Sequence, residues 1–184
     1  MKTIQKFLRE NSDVCATGRA WLVTQANMET AWRNCRNVQW MFWALARLEI
    51  EIDPVTARLL ACRFVRETPL ADGRMVWNLL TDERSRAAVI VAERFARGAA
   101  SDDELSAARS AAADAARSVA IRSAAVWSAA RSAADAARSA AVPSAADAVR
   151  SAAVWSAAAA AADDDAEIAQ ANILRATIQN PWAK

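Results

Sequence analysis

The side chains of this chain with chemistry to offer are three cysteines, a scatter of arginines and eight tryptophans. Cys15, Cys35 and Cys62 are far apart and form no C-x-x-C pair, so neither a zinc ribbon nor a dithiol redox motif is encoded. A nucleophilic thiol needs a neighbour that holds it as thiolate. There is no histidine to do so, although Cys35 lies between Arg33 and Arg36. The plainer reading makes all three cysteines small core residues in a reducing compartment. Without histidine there is no Ser-His or Cys-His pair, no HExxH zinc site and no imidazole switch. Gly18, Gly73 and Gly98 are the only glycines and cannot build a phosphate-cradling loop. Acidic residues are plentiful, but nothing places two of them in the divergent environments that carboxylate-pair catalysis requires. The expectation is a protein that is not an enzyme, with no catalytic residue, cofactor or resident metal.

What remains is binding. Arg58, Arg63 and Arg66 share one helical stretch at offsets of five and three and could meet an anion or an acidic partner. Pairing with Glu67 or Glu93 is the favoured alternative. Asp163-Asp164-Asp165 could attract a divalent cation, but it lacks glycine turns and spaced carbonyl ligands, so a helix start is preferred. Trp40 and Trp43, three apart with Phe42 between them, read as core before they read as a binding anchor. Trp127 and Trp155 differ: each stands alone in a field of alanine and serine, with Arg122 or Arg150 five residues before it. Tryptophan and arginine are enriched at the centres of interfaces. Trp127, Trp155, Arg122, Arg150 and Trp182 are therefore the candidate partner-binding residues, with packing inside the protein as the alternative.

The elements that must position these groups read almost entirely as helix. The chain has 184 residues, 54% of them hydrophobic, and period-two β-branched alternation is absent. Asp13 is expected to cap a helix running to about Gln25, followed by helices over 28–35 and 37–50. Asp53-Pro54 is an N-cap followed by proline at the first helical position, opening a helix to about Arg66. A short segment follows around 73–80. Thr81 is expected to cap a helix through Arg97, with Gly98 at its C-terminal cap. Ser101 and Glu104 form a capping box.

Beyond this the composition shifts: 29 of the 57 residues from Ser106 to Ala162 are alanine. The string RSAAVWSAA occurs at 122–130 and again at 150–158, four heptads apart. One unbroken helix over that stretch would be about 85 Å long at 1.5 Å per residue, so breaks are expected at Pro143 and near 118–123. Whether the stretch folds back as a hairpin or extends as an arm stays open. The acidic run is expected to open a last helix that ends near Gln179. The fold class is all-α: a multi-helix bundle with a Trp-rich N-terminal half and Ala-rich long helices in the C-terminal half. It forms one domain over 1–184, divided into a Trp/Arg-rich core (1–100), repeat helices (101–162) and a C-terminal helix (163–184).

Three stretches carry a resemblance: WRNC at 32–35, WMFWAL at 40–45 and ARLLACR at 57–63, with CATGRAW at 15–21 before them. The most specific stretch runs from Asp82 through Glu93, Gly98 and Glu104 to Arg109. Together they resemble the alanine-rich immunity-protein family of bacteria and phages (immunity-protein-five-like), over about residues 15–109. Val38-Gln39 departs from the family, which carries an acidic residue before the tryptophan. The resemblance implies an all-helical fold and neutralisation of a toxin, or of a host defence factor, by direct binding. It brings no catalytic residues.

Charge narrows the partner. The net charge is +2, and the first 100 residues carry 15 basic and 11 acidic side chains against 8 and 10 in the rest. That balance does not suit nucleic acid. No signal-like apolar core opens the chain and no run reaches 18 apolar residues, so no membrane span and a cytoplasmic location are expected. The expected function is non-enzymatic binding and neutralisation of another protein. The alternatives are sequestration of a nucleotide-like anion, or a structural component in which alanine-rich helices pair between chains as a homo-oligomer.

Overall fold

Helices begin where a side chain can serve their orphan amides. The computed structural model describes residues 3–119, 124–138, 151–153, 155, 156, 158 and 164–183; the side chains of 117–119, 124–127, 134, 137 and 138 lie outside that description. Thr3 caps α1 (Ile4–Glu10) by accepting from the Lys6 amide. Cys15 caps α2 (Ala16–Leu22), Asn27 caps α3 (Met28–Asn34) and Asn37 caps α4 (Val38–Arg47). Asp53 accepts from the Val55 and Thr56 amides at the start of α5 (Pro54–Glu67), with Pro54 in the first turn. A 3-10 turn (Val76–Leu79) leads to α6 (Glu83–Ala96), α7 (Asp102–Val119), α8 (Ala124–Arg138) and, after the helical residues within 151–158, α9 (Asp164–Thr177). The protein is an all-α bundle; among the described residues no strand forms, only an isolated bridge between Pro69 and Met75.

The capping box of α7 is present in full. The Glu104 amide donates to Ser101 Oγ at 3.2 Å, and the Ser101 amide donates to the Glu104 carboxylate at 2.8 Å. Three expected boundaries need correction. The cap of α2 is Cys15, not Asp13; Asp13 is drawn instead into an ion pair with Arg47. The cap of α6 is Asp82, not Thr81, because the Asp82 carboxylate reaches the Arg84 amide at 2.9 Å. Helix α4 stops at Arg47 rather than Ile50. There Glu49 turns left-handed at φ 55°, and the Ile50 amide closes back on the Leu45 carbonyl at 3.0 Å, a Schellman ending. The same ending closes α6, with Gly98 at φ 71° and the Ala99 amide on Arg94 O at 2.8 Å.

Helix α5 is the hub. Its Leu60, Ala61, Phe64 and Val65 are fully buried, and it packs on α6, α8, α9 and the 3-10 turn. Burying a side chain such as Leu60 contributes on the order of 1.5–3 kcal/mol, and Leu60→Ala would cost about 2–5 kcal/mol. The alanine-rich stretch folds back rather than extending: α7 and α8 lie on one another and on α6. Their contact is built from small residues, with Ala112, Ala115, Ala129, Ala133 and Ala136 all buried. Such faces hold by close approach and dispersion rather than by bulk. Buried hydroxyls add polar ties, as Ser132 Oγ donates to Ala152 O at 2.9 Å and Ser151 Oγ donates to Asp135 at 2.6 Å.

A second, smaller cluster stands beside the main core. Phe7, Leu8, Leu22, Met28 and Ala31, from α1 to α3, form it. Helix α9 is bonded to α3 and to the main core. The Arg175 guanidinium donates to the carbonyls of Trp32 at 3.1 Å and Cys35 at 2.7 Å, and the Gln170 side-chain amide donates to Ala153 O at 3.0 Å.

Candidate functional site

The seam between the two clusters is not filled. It holds a half-open pocket of about 300 Å³, at the lower end of the size of small-molecule sites. Five of the eight tryptophans line it: Trp21 from α2, Trp32 from α3, Trp40 and Trp43 from α4, and Trp182 from the segment after α9. Phe7 closes one side, meeting Trp43 edge-on at 5.8 Å between ring centroids and Trp182 at 6.2 Å. Trp182 leans on Trp32 at 6.0 Å, and Trp21 on Trp40 at 5.7 Å. The two Phe7 pairs have the edge-to-face arrangement that aromatic quadrupoles favour, while the two tryptophan pairs are tilted, at 57° and 44° between planes. Gly18 lies in the wall, where an added Cβ would stand 3.1 Å from Cys15 Sγ and 3.6 Å from Trp40.

Few polar groups reach this lining. Asp13 is the one charged residue among the lining residues, and Gln39 supplies a primary amide. The Asp13 carboxylate is paired with Arg47, whose guanidinium lies over the Trp43 ring at 5.6 Å. Cys15 is exposed at the rim, not part of the core as its sequence setting suggested, because it serves as a cap. Its Sγ meets the Thr17 hydroxyl at 3.4 Å and accepts from the Gly18 amide at 3.3 Å; these contacts, Thr17 first, hold its thiol below the ordinary value. Cys35 is buried in the pocket wall. Its Sγ–H donates to Asn37 O at 3.3 Å, and desolvation pushes its thiol up to about 11. Cys62, in the main core, is pushed up to about 12 by burial.

No family model, curated protein or solved structure matches this chain. The pocket therefore has to be read from its own chemistry. Indole rings, thioethers and one carboxylate surround a space with room for a small apolar molecule. Among its lining residues no base stands beside the thiol and no second carboxylate faces Asp13.

Of the residues singled out in the sequence, Trp182 is in the pocket. Trp155 is not: it is half-buried under the Arg131 guanidinium, 5.6 Å from its ring. Arg122 and Arg150 and the side chain of Trp127 lie outside the described residues. Trp40 and Trp43 are half-buried, packed against the main and the smaller cluster respectively while also bordering the pocket, and Phe42 between them is buried. The three arginines of α5 are committed inside the protein. Arg63 pairs with Glu67 and donates to Thr177, Arg66 pairs with Glu93 and stacks on Trp77 at 4.2 Å, and Arg58 is buried over Phe95 at 4.6 Å. Asp164 and Asp165 open α9, and both are exposed. Among the described residues no group of three or more acidic or cysteine side chains is arranged to hold a metal, and no helix is long and apolar enough to cross a membrane.

The sequence reading missed Phe7, Trp21, Trp32 and Met28 as site residues. Trp21 and Trp32 sat inside the motifs quoted for the family resemblance, but nothing local showed that they converge. Phe7 and Met28 carried no signal beyond their apolar character.

Proposed function

We propose that this protein is a binder rather than a catalyst, and that it works through the tryptophan-lined pocket by holding a small apolar molecule. The observation that supports this reading is the preformed recess itself, with five indoles from four parts of the chain fixed around an unfilled space. Such a space forfeits dispersion contacts that an apolar occupant would restore. A broad protein interface is less well supported, because only four large apolar residues among those described are exposed: Val23, Val55, Met75 and Ile90. The pocket's charge also favours a different class from the nucleotide-like anion raised by the sequence. Its one charged lining residue is a carboxylate, and the arginines of α5 are occupied elsewhere.

Calorimetric titration with toluene, indole and 2-phenylethanol tests this. Saturable one-to-one binding is expected, and Ala44→Leu, which extends a lining side chain into the recess, should abolish it. No saturable binding by any of the three, or binding indifferent to Ala44→Leu, would refute the pocket reading.

Neutralisation of a protein partner is the second reading, and Trp182 favours it: the one described pocket residue among the sequence-proposed contacts is a tryptophan, only partly buried, that borders the recess. A partner would then insert a single aromatic side chain into the same recess. Affinity capture on the wild-type chain, repeated with Ala44→Leu, reads it out. A stoichiometric partner lost in the variant supports this reading, and one retained by the variant removes the pocket from it.

A further inference from the structure

From the electrostatics of the pocket we infer the class of its ligand: a small arylalkyl ammonium, held with its ring among the indoles and its cationic head at Asp13. This inference rests on the pocket reading above. The faces of indole rings carry negative potential, and tryptophan is the strongest of the side chains that attract cations in this way. Five such rings line the space, and the single charged lining residue is Asp13, also negative. Methionines 28 and 41 add polarisable sulfur to the same wall. Among the lining residues the one formal charge is therefore negative, while the nearby Arg175 guanidinium is turned to the Trp32 and Cys35 carbonyls and the Met41 sulfur.

The rim already shows what that field selects. Arg47 places its guanidinium over the Trp43 ring, 5.6 Å from the centroid, and pairs with the Asp13 carboxylate. Asp13 precedes α2 and Arg47 ends α4, so this cation reaches the mouth of the pocket from outside the lining set. A ligand ammonium at Asp13 would take over the same two interactions from Arg47. Arg47 is thus a competitor for the carboxylate, and its removal should strengthen binding. Both side chains of the pair are about half exposed, 45% and 49%, so the pair contributes little to stability and either member can be replaced in a folded protein.

The test uses three probes with one ring and different heads: 3-phenylpropylammonium, 3-phenylpropan-1-ol and 3-phenylpropionate. Each is titrated against the full chain and followed by indole emission, to which the phenyl probes contribute nothing. The ammonium is expected to bind at least about fivefold tighter than the alcohol, and the carboxylate weakest. Asp13→Asn should bring the ammonium-to-alcohol ratio towards one, and Arg47→Gln should raise it. If Asp13 and Arg47 served only to hold the rim in shape, both substitutions would move the ratio in the same direction or leave it unchanged, and either result overturns the inference. An alcohol that binds the wild type as tightly as the ammonium overturns it too, while leaving the pocket reading intact. If none of the three probes binds, this inference is overturned, and the pocket reading stands or falls separately on toluene, indole and 2-phenylethanol.

Discussion

Truncating Trp182 separates its two possible roles. As a partner anchor its indole would contribute little to the isolated protein; as a pocket wall it joins the chain end to α1 and α3. The indole meets Phe7 edge-on at 6.2 Å and Trp32 at 6.0 Å. Each such ring pair is worth about 0.5–1.5 kcal/mol beyond the area it buries. Full truncation of a buried tryptophan costs about 3–5 kcal/mol, but Trp182 is only half-buried. The expected loss for Trp182→Ala is therefore about 2 kcal/mol, equivalent to a fall in Tm of roughly 4–8 °C for a chain of this size. The backbone around it should stay docked, since the Asn180 side chain still donates to Glu29 O. Urea unfolding of wild type and variant with a common slope measures this, and loss of the near-ultraviolet signal of the packed indoles accompanies it. A loss below about 0.5 kcal/mol, the range of ordinary surface substitutions, would refute the placement of Trp182 in the pocket wall.

Three further outcomes are expected. Ser101→Ala removes one half of the α7 capping box and should cost about 1 kcal/mol in the same unfolding assay. Ala133→Leu adds bulk at a fully buried alanine of α8 and should destabilise by about 1–3 kcal/mol through overpacking; a neutral result would mean that the small-residue contact is loose. The cysteines should differ in reactivity and in pH dependence. A disulfide reagent at neutral pH should label Cys15 rapidly and Cys35 and Cys62 only on unfolding, and Thr17→Val should slow the labelling of Cys15 by removing the contact that most favours its thiolate. Because the folded thiols of Cys35 and Cys62 are raised from 9.0 to about 11 and about 12, the unfolded chain releases those protons first as pH rises. Their contribution to stability is full below 9.0 and is lost progressively up to those folded values. Unfolding free energy should fall over that window, and less steeply in Cys62→Ala.

How much could be read in advance depended on how local the cause was. The box of Ser101 and Glu104, the Asp53-Pro54 start and the Gly98 stop are each written within a few residues, and each stands in the structure. The end of α4 was not legible, because its left-handed residue is Glu49 rather than glycine. The cap of α2 was misread for a related reason. A cysteine seldom announces itself as a cap, and the aspartate two residues earlier was the more obvious choice until Arg47, 34 residues away, was seen to hold it. Pairing of the α5 arginines with Glu67 or Glu93 was the reading favoured from the sequence, and Arg63 with Glu67 and Arg66 with Glu93 bear it out; which arginine met Glu93, 27 residues from Arg66, was settled by packing.

Helical content, the Ser101–Glu104 box, the Asp53 cap and the small-residue character of the second half are properties of neighbouring residues, and the amino-acid sequence alone determined them. The pocket is different in kind. Its walls come from residues as far apart as Phe7 and Trp182, and it exists because two hydrophobic clusters meet without interdigitating. Tryptophans at helical spacing look the same in a sequence whether they fill a core or border a space. Only the tertiary packing decides, since an unfilled volume is a property of how several helices fail to close on one another and no single segment carries it.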